Sequence, residues 1–396
     1  MKPVNKRIKK MKIGFDVSQT GREKAGCGYF ADSLIQTLAA MDADNEYLLY
    51  PHFGTSFWDS EAAKTTRNPV DHHNFSRVLI CSNFSEALAF WEHLPSDGEV
   101  MIGSPDIIHA NNFSCPQGVD RARIVYTLHD LSFLIYPEFT SEINRWNCFK
   151  GVYNASCYAD FIMAVSNYSR DNFLEIFPHY PADRIRVVHE GSRFSSISGN
   201  NPGSAVAGLK PDRFWLSVGT LEPRKNVRRL LRAYAAFIRR NQEGFPLVLA
   251  GGKGWLENDL EEFIHTLGIR EHLKILGYVT DDELIWLYQN CFSFIYPSLF
   301  EGFGLPVLEA LSLGAIVVTS NTASLPEVAG DAACYVDPLK EETIIDAMLR
   351  LMNDDSYRTK LKGLSKSQAL KFSWERCASE VLDIYREVIN RPKYCP

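Results

Sequence analysis

The sequence predicts an α/β protein made of two doubly wound, Rossmann-like domains. Short β-rich runs alternate with helical segments, the alternation comes in two blocks, and one stretch rich in Ser, Gly and Asn separates the blocks. The length of 396 residues agrees with this, at roughly 100–200 residues per domain.

In the first block, strands are expected at 12–17, 46–50, 77–81, 106–110, 123–128, 161–165 and 184–188, with helices at 28–41, 85–93, 141–155 and 167–176. The segment GSRFSSISGNNPGSAVAG, 191–208, has almost no apolar periodicity and reads as a flexible linker or a long surface loop. In the second block, strands are expected at 213–218, 246–250, 273–276, 292–296, 315–319 and 332–336. Its helices are expected at 226–240, 256–267, 281–289, 305–313, 341–352 and 374–388. Strands alternating with helices make parallel sheets covered on both faces. The division is then a basic tail at 1–11, an N-terminal domain at 12–190, a linker at 191–211, a C-terminal domain at 212–372 and a helical segment at 373–396. Ligands in such sheets bind beyond the carboxyl ends of the strands, so two domains facing across a cleft place the site in that cleft.

Composition narrows the class. Apolar residues are 45 % and charged residues 23 %, as in an ordinary globular protein, which excludes long disorder and collagen-like structure. The 42 basic residues against 48 acidic ones leave a charge of -6, unlike a general nucleic-acid binder. No apolar run approaches the ~18 residues of a membrane helix. Nine cysteines without a CxxC spacing fit scattered reduced thiols of a cytoplasmic protein, not a disulfide framework or a zinc site. The start, MKPVNKRIKKMK, is basic but lacks the apolar core of a secretory signal. It reads either as a solvated tail or as a contact for anionic lipid, at about 1 kcal/mol per charge.

Three motifs carry chemistry. After the first strand comes SQTGREKAGCGYFA, where Gly26, Gly28 and Ala31 match G-x-G-x-x-A. The dinucleotide fingerprint turns directly out of the strand, whereas residues 18–25 intervene here. The readings are a structural turn, a substrate or donor loop at a helix N-terminus, or a nicotinamide site. Second, RFWLSVGTLEPRKNVRRLLRAY puts Arg224 and Lys225 beyond a strand end, with Pro223 placed to open a helix. Cations are disfavoured at a helix N-terminus, so this placement suits a bound diphosphate; the alternative is a solvated basic face, as for Arg228, Arg229 and Arg232. Third, PSLFEGFGLPVLEALSLG runs from a buried strand into a glycine-containing loop and a helix, with Glu301 and Glu309 eight residues apart. A fully helical segment would separate them by about 12 Å, too far for the roughly 5–9.5 Å of a glycosidase carboxylate pair. Separate hydroxyl-binding roles fit better, against the alternative of a capping Glu301 and a solvated Glu309.

These residues resemble a known family. EGFGLPVLEA is similar to the paired-glutamate motif of retaining glycosyltransferase family 4, which has the two-domain GT-B fold. VGTLEPRKN, TLHDLSFLIYPE, FIMAVSNYSRDNF, LGYV and LPEVAGDA look like further segments of that family, in the expected order, over roughly residues 12–389. The resemblance implies a nucleotide-sugar donor, GDP- or UDP-linked, held mainly by the C-terminal domain. Glu309 would bond the ribose hydroxyls and Glu301 hydroxyls of the transferred sugar. Gly302 and the backbone of Phe303, Gly304 and Leu305 would approach the donor, Arg224 and Lys225 would pair the diphosphate, and Gly277, Tyr278 and Val279 would border the base. From the N-terminal domain, Gly26 and Gly28 would approach the donor and His129 would line the sugar site, although a His followed by Asp also suits a structural role. The final helix would cross back to brace the N-terminal domain. One departure stands out: many members carry Arg after the glycine of the first C-domain strand, and here Gly219 is followed by Thr220.

The implied reaction is transfer of a hexose with retention, without a carboxylate nucleophile, a cofactor or a metal. The only DxD, at Asp42 and Asp44, sits in a polar turn. The motif wording is similar to bacterial mannosyltransferases of surface-polysaccharide and lipopolysaccharide assembly, which implies GDP-mannose as donor and a glycan or lipid-linked acceptor. The protein is then expected in the cytoplasm, peripheral at the inner face of the membrane, touching it through the basic N-terminus or exposed aromatics such as Trp146. Competing readings are a nicotinamide oxidoreductase, a nucleotide-sugar epimerase sharing the architecture, and a catalytically silent sugar- or lipid-binding protein.

Overall fold

The computed structural model describes residues 10–21, 24, 26–54, 72–81, 84–194, 203–241, 244–252 and 259–396. The basic tail expected at 1–11 lies almost wholly outside them, as do 195–202 of the expected linker and 256–258 of an expected helix. The chain divides into two compact units. One comprises Met1–Pro137, Ser141–His189 and Trp374–Pro396; the other comprises Glu138–Thr140 and Glu190–Ser373.

The first unit is built on a seven-stranded parallel sheet: β1 (Lys12–Asp16), β2 (Glu46–Tyr50), β3 (Phe75–Arg77), β4 (Ile107–Ala110), β5 (Arg123–Leu128), β6 (Phe161–Ala164) and β7 (Ile185–Val187). Its order is β3-β2-β1-β4-β5-β6-β7. Runs such as IIHA and FIMA are buried at every position, because helices cover both faces. β3 lies earlier than the expected 77–81. Its only neighbour, β2, ends at Tyr50, and the paired register stops at Leu49 opposite Arg77. Asp42 of the DxD accepts from the backbone of Asp44 and Asn45 and from the Tyr47 hydroxyl at 2.6 Å, so its carboxylate is consumed by the turn before β2. The helix Trp374–Asn390 belongs to this unit. Trp374 packs edge-on against Phe30 of the helix Gly26–Met41, and the Tyr385 hydroxyl lies 2.5 Å from His109 Nδ1.

The second unit holds a six-stranded parallel sheet: β8 (Trp215–Val218), β9 (Leu247–Ala250), β10 (Leu273–Gly277), β11 (Ser293–Tyr296), β12 (Val317–Ser320) and β13 (Ala333–Val336). Its order is β10-β9-β8-β11-β12-β13. The chain winds outward from β8 to β10 and then returns to β11 on the other side of β8. The crevice for a ligand therefore lies past the ends of β8 and β11, where the winding reverses. In the first unit the same reversal falls between β1 and β4.

Among the described residues, two α-helices of this unit, the short Leu325–Ala329 and the longer Asp355–Ala369, have no counterpart in the sequence expectations; the longer is the more telling. It buries only Leu361, Ser365, Gln368 and Ala369, too few apolar residues for a periodic signal. Its N-cap, Asp354 accepting from Tyr357 N–H at 2.9 Å, was the legible trace. Ser365 donates to the Ala315 carbonyl and Gln368 to the Val328 carbonyl, which fixes the helix behind Leu305–Ser312.

Candidate active site

At the β8 end, Gly219 adopts φ +140 and donates to the Ala250 carbonyl at 2.9 Å. Gly251 follows β9, and a Cβ there would lie 2.0 Å from the Gly219 carbonyl oxygen. Backbone thus meets backbone at this strand end, with no side chain between. Thr220, next to Gly219, is partly exposed and carries no charge that could replace the family's arginine.

The turn after β8 departs from expectation. Pro223–Lys225 is a 3₁₀ turn, Asn226 is left-handed at φ 60, and the α-helix starts only at Val227. Arg224 and Lys225 therefore stand ahead of the helix and not in its first turn. The physical reason is Asn226: its side-chain amide donates to the carbonyls of Pro297 at 3.0 Å and Pro338 at 2.7 Å, tying the turn to the loop after β11.

That tie brings two cations onto Glu301. Lys225 Nζ lies 2.7 Å from Glu301 Oε1 and 2.5 Å from the Tyr296 hydroxyl, and its stem passes beside Gly219. Arg224 donates to Glu301 Oε2 at 2.7 Å, to the Phe300 carbonyl at 3.1 Å and to Glu222 at 2.7 Å. Ser298 at 2.6 Å and Tyr296 at 2.8 Å also donate to Glu301 Oε1. Burial pushes the Glu301 carboxyl up, but Arg224 and Lys225 outweigh it and hold the group at about 2. Burial, then Arg224, lower Lys225, against the pull of Glu301. Glu301 is thus an ionised anchor. Its Oε1 already accepts three bonds, which leaves Oε2, beside Arg224, as the less occupied oxygen.

The loop Gly302, Phe303, Gly304 is buried and strapped from behind by Ser324, which donates to the carbonyls of Glu301 at 2.9 Å and Phe303 at 2.7 Å. Gly304 sits at φ +113 and opens the helix Leu305–Ser312; a Cβ on it would lie 2.9 Å from Leu325 Cδ2. Only this stretch is helical, so Glu301 lies in the loop and Glu309 on the helix. Glu309 is buried, and Arg193 Nε donates to its Oε1 at 2.7 Å. Burial raises the Glu309 carboxyl despite Arg193. Tyr278 and Val279 follow β10, with Tyr278 73 % exposed.

The remaining expected residues belong to the first unit. The helix there begins at Gly26, two residues before the expected start. Gly28 is dictated by packing, since a Cβ would meet the Gln19 carbonyl oxygen at 2.2 Å, while Gly26 faces open space. His129 follows β5, is buried, and has Nε2 2.7 Å from the Asn111 carbonyl with Phe30 edge-on at 5.2 Å. Burial lowers its pKa.

Sequence reasoning did not find Glu222, Tyr296 and Ser298, which position Arg224, Lys225 and Glu301. Nor did it find Arg193, in the segment read as linker, or Glu190, read as the last residue of the N-terminal domain. In the structure that segment docks: Ser192 Oγ lies 2.8 Å from Ser312 Oγ, Phe194 is buried, and Ala205 N–H donates to Glu283 at 3.1 Å. The legible signal was a charged Arg193 beside an aromatic in an otherwise small-residue stretch.

Two parallel sheets, each wound outward from an inner strand and covered by helices, are the sheets of the GT-B fold. The model of "Glycosyl transferases group 1" matches residues 205–367, and that of "Glycosyltransferase Family 4" matches 26–192. The chain is 33 % identical to O-antigen chain mannosyltransferase B of Escherichia coli, over 95 % of this chain and 100 % of that one. The chain belongs to this glycosyltransferase family. Among solved structures it is similar to sucrose-phosphate synthase of Thermosynechococcus elongatus, with TM-score 0.75 and 18 % identity over 96 % of this chain and 99 % of that one. It is also similar to Anabaena HepE, solved with UDP-glucose, with TM-score 0.71 and 18 % identity over 95 % of this chain and 100 % of that one. Among the described residues no helix is long and apolar enough to cross a membrane.

Proposed function

We propose that the protein is a retaining mannosyltransferase. It moves mannose from GDP-mannose to a hydroxyl of a glycan or lipid-linked acceptor in O-antigen assembly. The observation that carries this reading is Lys225, which bridges the two strand ends at the winding reversal and shares Glu301 with Arg224. Full-length similarity to an O-antigen mannosyltransferase supports the sugar and the acceptor class. The UDP-glucose bound by HepE supports a nucleotide-sugar donor.

The bond between the sugar C1 and the β-phosphate oxygen breaks with its electron pair going to that oxygen. The acceptor oxygen bonds C1 on the same face, and its proton passes to the departing phosphate. Negative charge therefore grows on the diphosphate as the bond opens. Lys225, Arg224 and the N–H groups at the start of the helix Leu305–Ser312 stabilise it there, preorganised in a buried setting. Glu301 keeps both cations in place and accepts a sugar hydroxyl through Oε2, while Glu309 accepts the ribose hydroxyls. Tyr278 and Val279 border the base, the backbone from Gly302 to Leu305 lies along the donor, and Gly219 leaves room for the phosphates. By the family resemblance, His129 and the helix start at Gly26 and Gly28, in the first unit, are assigned to the donor sugar, with the neutral imidazole orienting a hydroxyl through a hydrogen bond. No metal enters these steps, so activity survives a chelator. The aromatic face of the helix Glu142–Tyr158, with Ile143 77 % and Trp146 61 % exposed, touches the membrane surface.

The test is a thermal-shift screen of GDP-mannose, UDP-glucose and other nucleotide sugars, since a ligand at 100 times its Kd adds about 2.7 kcal/mol. NMR then assigns the anomer of the product. An inverted glycoside removes the retaining reading. Interconversion of sugars still attached to nucleotide removes transfer altogether.

A further inference from the structure

The crossover into the second unit carries a group of charges that the mechanism above does not use. Glu190 is the first residue of the main segment of that unit, Glu190–Ser373, and Arg193 follows three residues later. Both sit at Glu309. Arg193 Nε donates to Glu309 Oε1 at 2.7 Å, its Nη1 donates to Asp281 at 3.2 Å, and its guanidinium lies over the Phe194 ring at 4.6 Å. The segment is pinned by Ser192 against Ser312, one turn beyond Glu309 on the same helix. Arg193 therefore has one orientation, built from three directions.

Glu190 is also buried, and among the described residues its Oε2 finds no hydrogen-bond partner. Two buried carboxyls and one guanidinium thus share one neighbourhood, and two adjacent buried carboxylates do not both stay ionised. The protein has divided the roles. Burial, then the charge on Glu309, push Glu190 up to about 8, so Glu190 is a neutral acid at pH 7. Arg193 pairs with Glu309 as well as with Asp281, and it opposes the burial that raises Glu309. The groups facing Glu309 are Arg193, Asp281, Tyr288 and Glu190, and Arg193 is the only cation among them.

We propose that Arg193 is a positioning residue of the donor site, which holds one oxygen of Glu309 and so fixes the carboxylate in the orientation that accepts the two vicinal ribose hydroxyls of a nucleoside diphosphate. This rests on the reading that Glu309 binds ribose. A vicinal diol donates two hydrogen bonds; an ionised carboxylate accepts them as charge-assisted bonds, whereas a carboxylic acid accepts them more weakly and presents one oxygen as a competing donor. Without Arg193, Glu309 takes up a proton more readily, and the loss grows as pH falls.

The experiment measures Kd for GDP and UDP, and for the 2′,3′-dideoxy form of whichever binds, from pH 5.5 to 8.5. It compares wild type, Arg193→Met, Arg193→Lys and Glu309→Gln, with a melting curve for each. In Arg193→Met, binding weakens at least tenfold at pH 7 and further as pH falls, and preference for the ribose diol disappears. Turnover at saturating donor changes less than threefold. Arg193→Lys restores the wild-type pH profile with part of the preference, and it carries the test if the Met variant does not fold. A merely structural arginine would weaken binding equally at every pH with the preference intact, which overturns the proposal. If Glu309→Gln keeps the preference, the ribose reading itself fails. That outcome is distinguishable because it does not involve Arg193.

Discussion

Lys225→Ala probes the leaving-group chemistry most directly. The change deletes an ammonium 2.7 Å from Glu301 and 2.5 Å from the Tyr296 hydroxyl. Breaking a buried ion pair by removing one partner costs about 3–5 kcal/mol when the other charge is left alone. Glu301 is not left alone, since Arg224 at 2.7 Å, Ser298 at 2.6 Å and Tyr296 at 2.8 Å still donate to it. The loss of stability is then nearer that of one hydrogen bond to a charged group, about 1.5–3 kcal/mol. The kinetic cost is larger. Removing one donor from a developing negative charge costs roughly 2.7–4 kcal/mol, or 10²–10³ in turnover. Because Lys225 divides its charge between Glu301 and the phosphate, a fall of at least tenfold, about 1.4 kcal/mol, is the lower bound. The assay is the initial rate of nucleoside diphosphate release at saturating donor and acceptor, with a melting curve beside it. A second readout is acid unfolding. Glu301 is held at about 2, so its stabilising contribution is present above its unfolded value and is lost as pH falls through about 2. With one cation gone, the folded value rises and the acid transition moves to higher pH. Turnover within twofold of wild type, with an unmoved acid transition, refutes the assignment.

Glu309→Ala weakens nucleotide binding by one to two orders of magnitude, at about 1.5–3 kcal/mol per bond to a charged acceptor, as titration calorimetry will show; unchanged Kd removes it from the donor site. Glu190→Gln stabilises the protein in a pH-dependent way. A carboxyl raised to about 8 makes the folded state bind the extra proton, so wild-type stability declines as pH rises from about 4.5 to 8, and the variant's curve is flatter there. Parallel curves for the two proteins in denaturant titrations contradict this. Gly304→Ala forces a side chain onto φ +113 against Leu325 and costs about 1–3 kcal/mol, seen as a melting temperature several degrees lower. An unchanged melting temperature would mean that the loop relaxes freely.

Strands buried on both faces were legible because each is a continuous apolar run: β2, β5 and the helix Asn167–Ile176 have the expected bounds. The glycine loop before Leu305–Ser312 was legible too, since a left-handed position between strand and helix is one that glycine holds without strain. The helix Asp355–Ala369 was not, because its contact face contains Ser365 and Gln368, whose hydrogen bonds to carbonyls at 315 and 328 do what apolar periodicity does elsewhere. The helix after β8 starts at Val227, one residue past the expected 226; what was misread is Pro223, which opens a 3₁₀ turn and not the helix, because Asn226 is held by Pro297 and Pro338, far along the chain.

Residue types and their order along the chain determined the two-block α/β architecture, the family, and the identity of Lys225, Arg224, Glu301 and Glu309 as the charged groups near the strand ends. Those depend on local periodicity and spacing, which one dimension preserves. Which charge answers which was decided only by tertiary structure. Glu301 lies 76 residues from Lys225, and Glu309 lies 116 from Arg193. The strengths of these pairs come from burial and from distances of a few ångströms, and the sheet order that brings β8 beside β11 creates both.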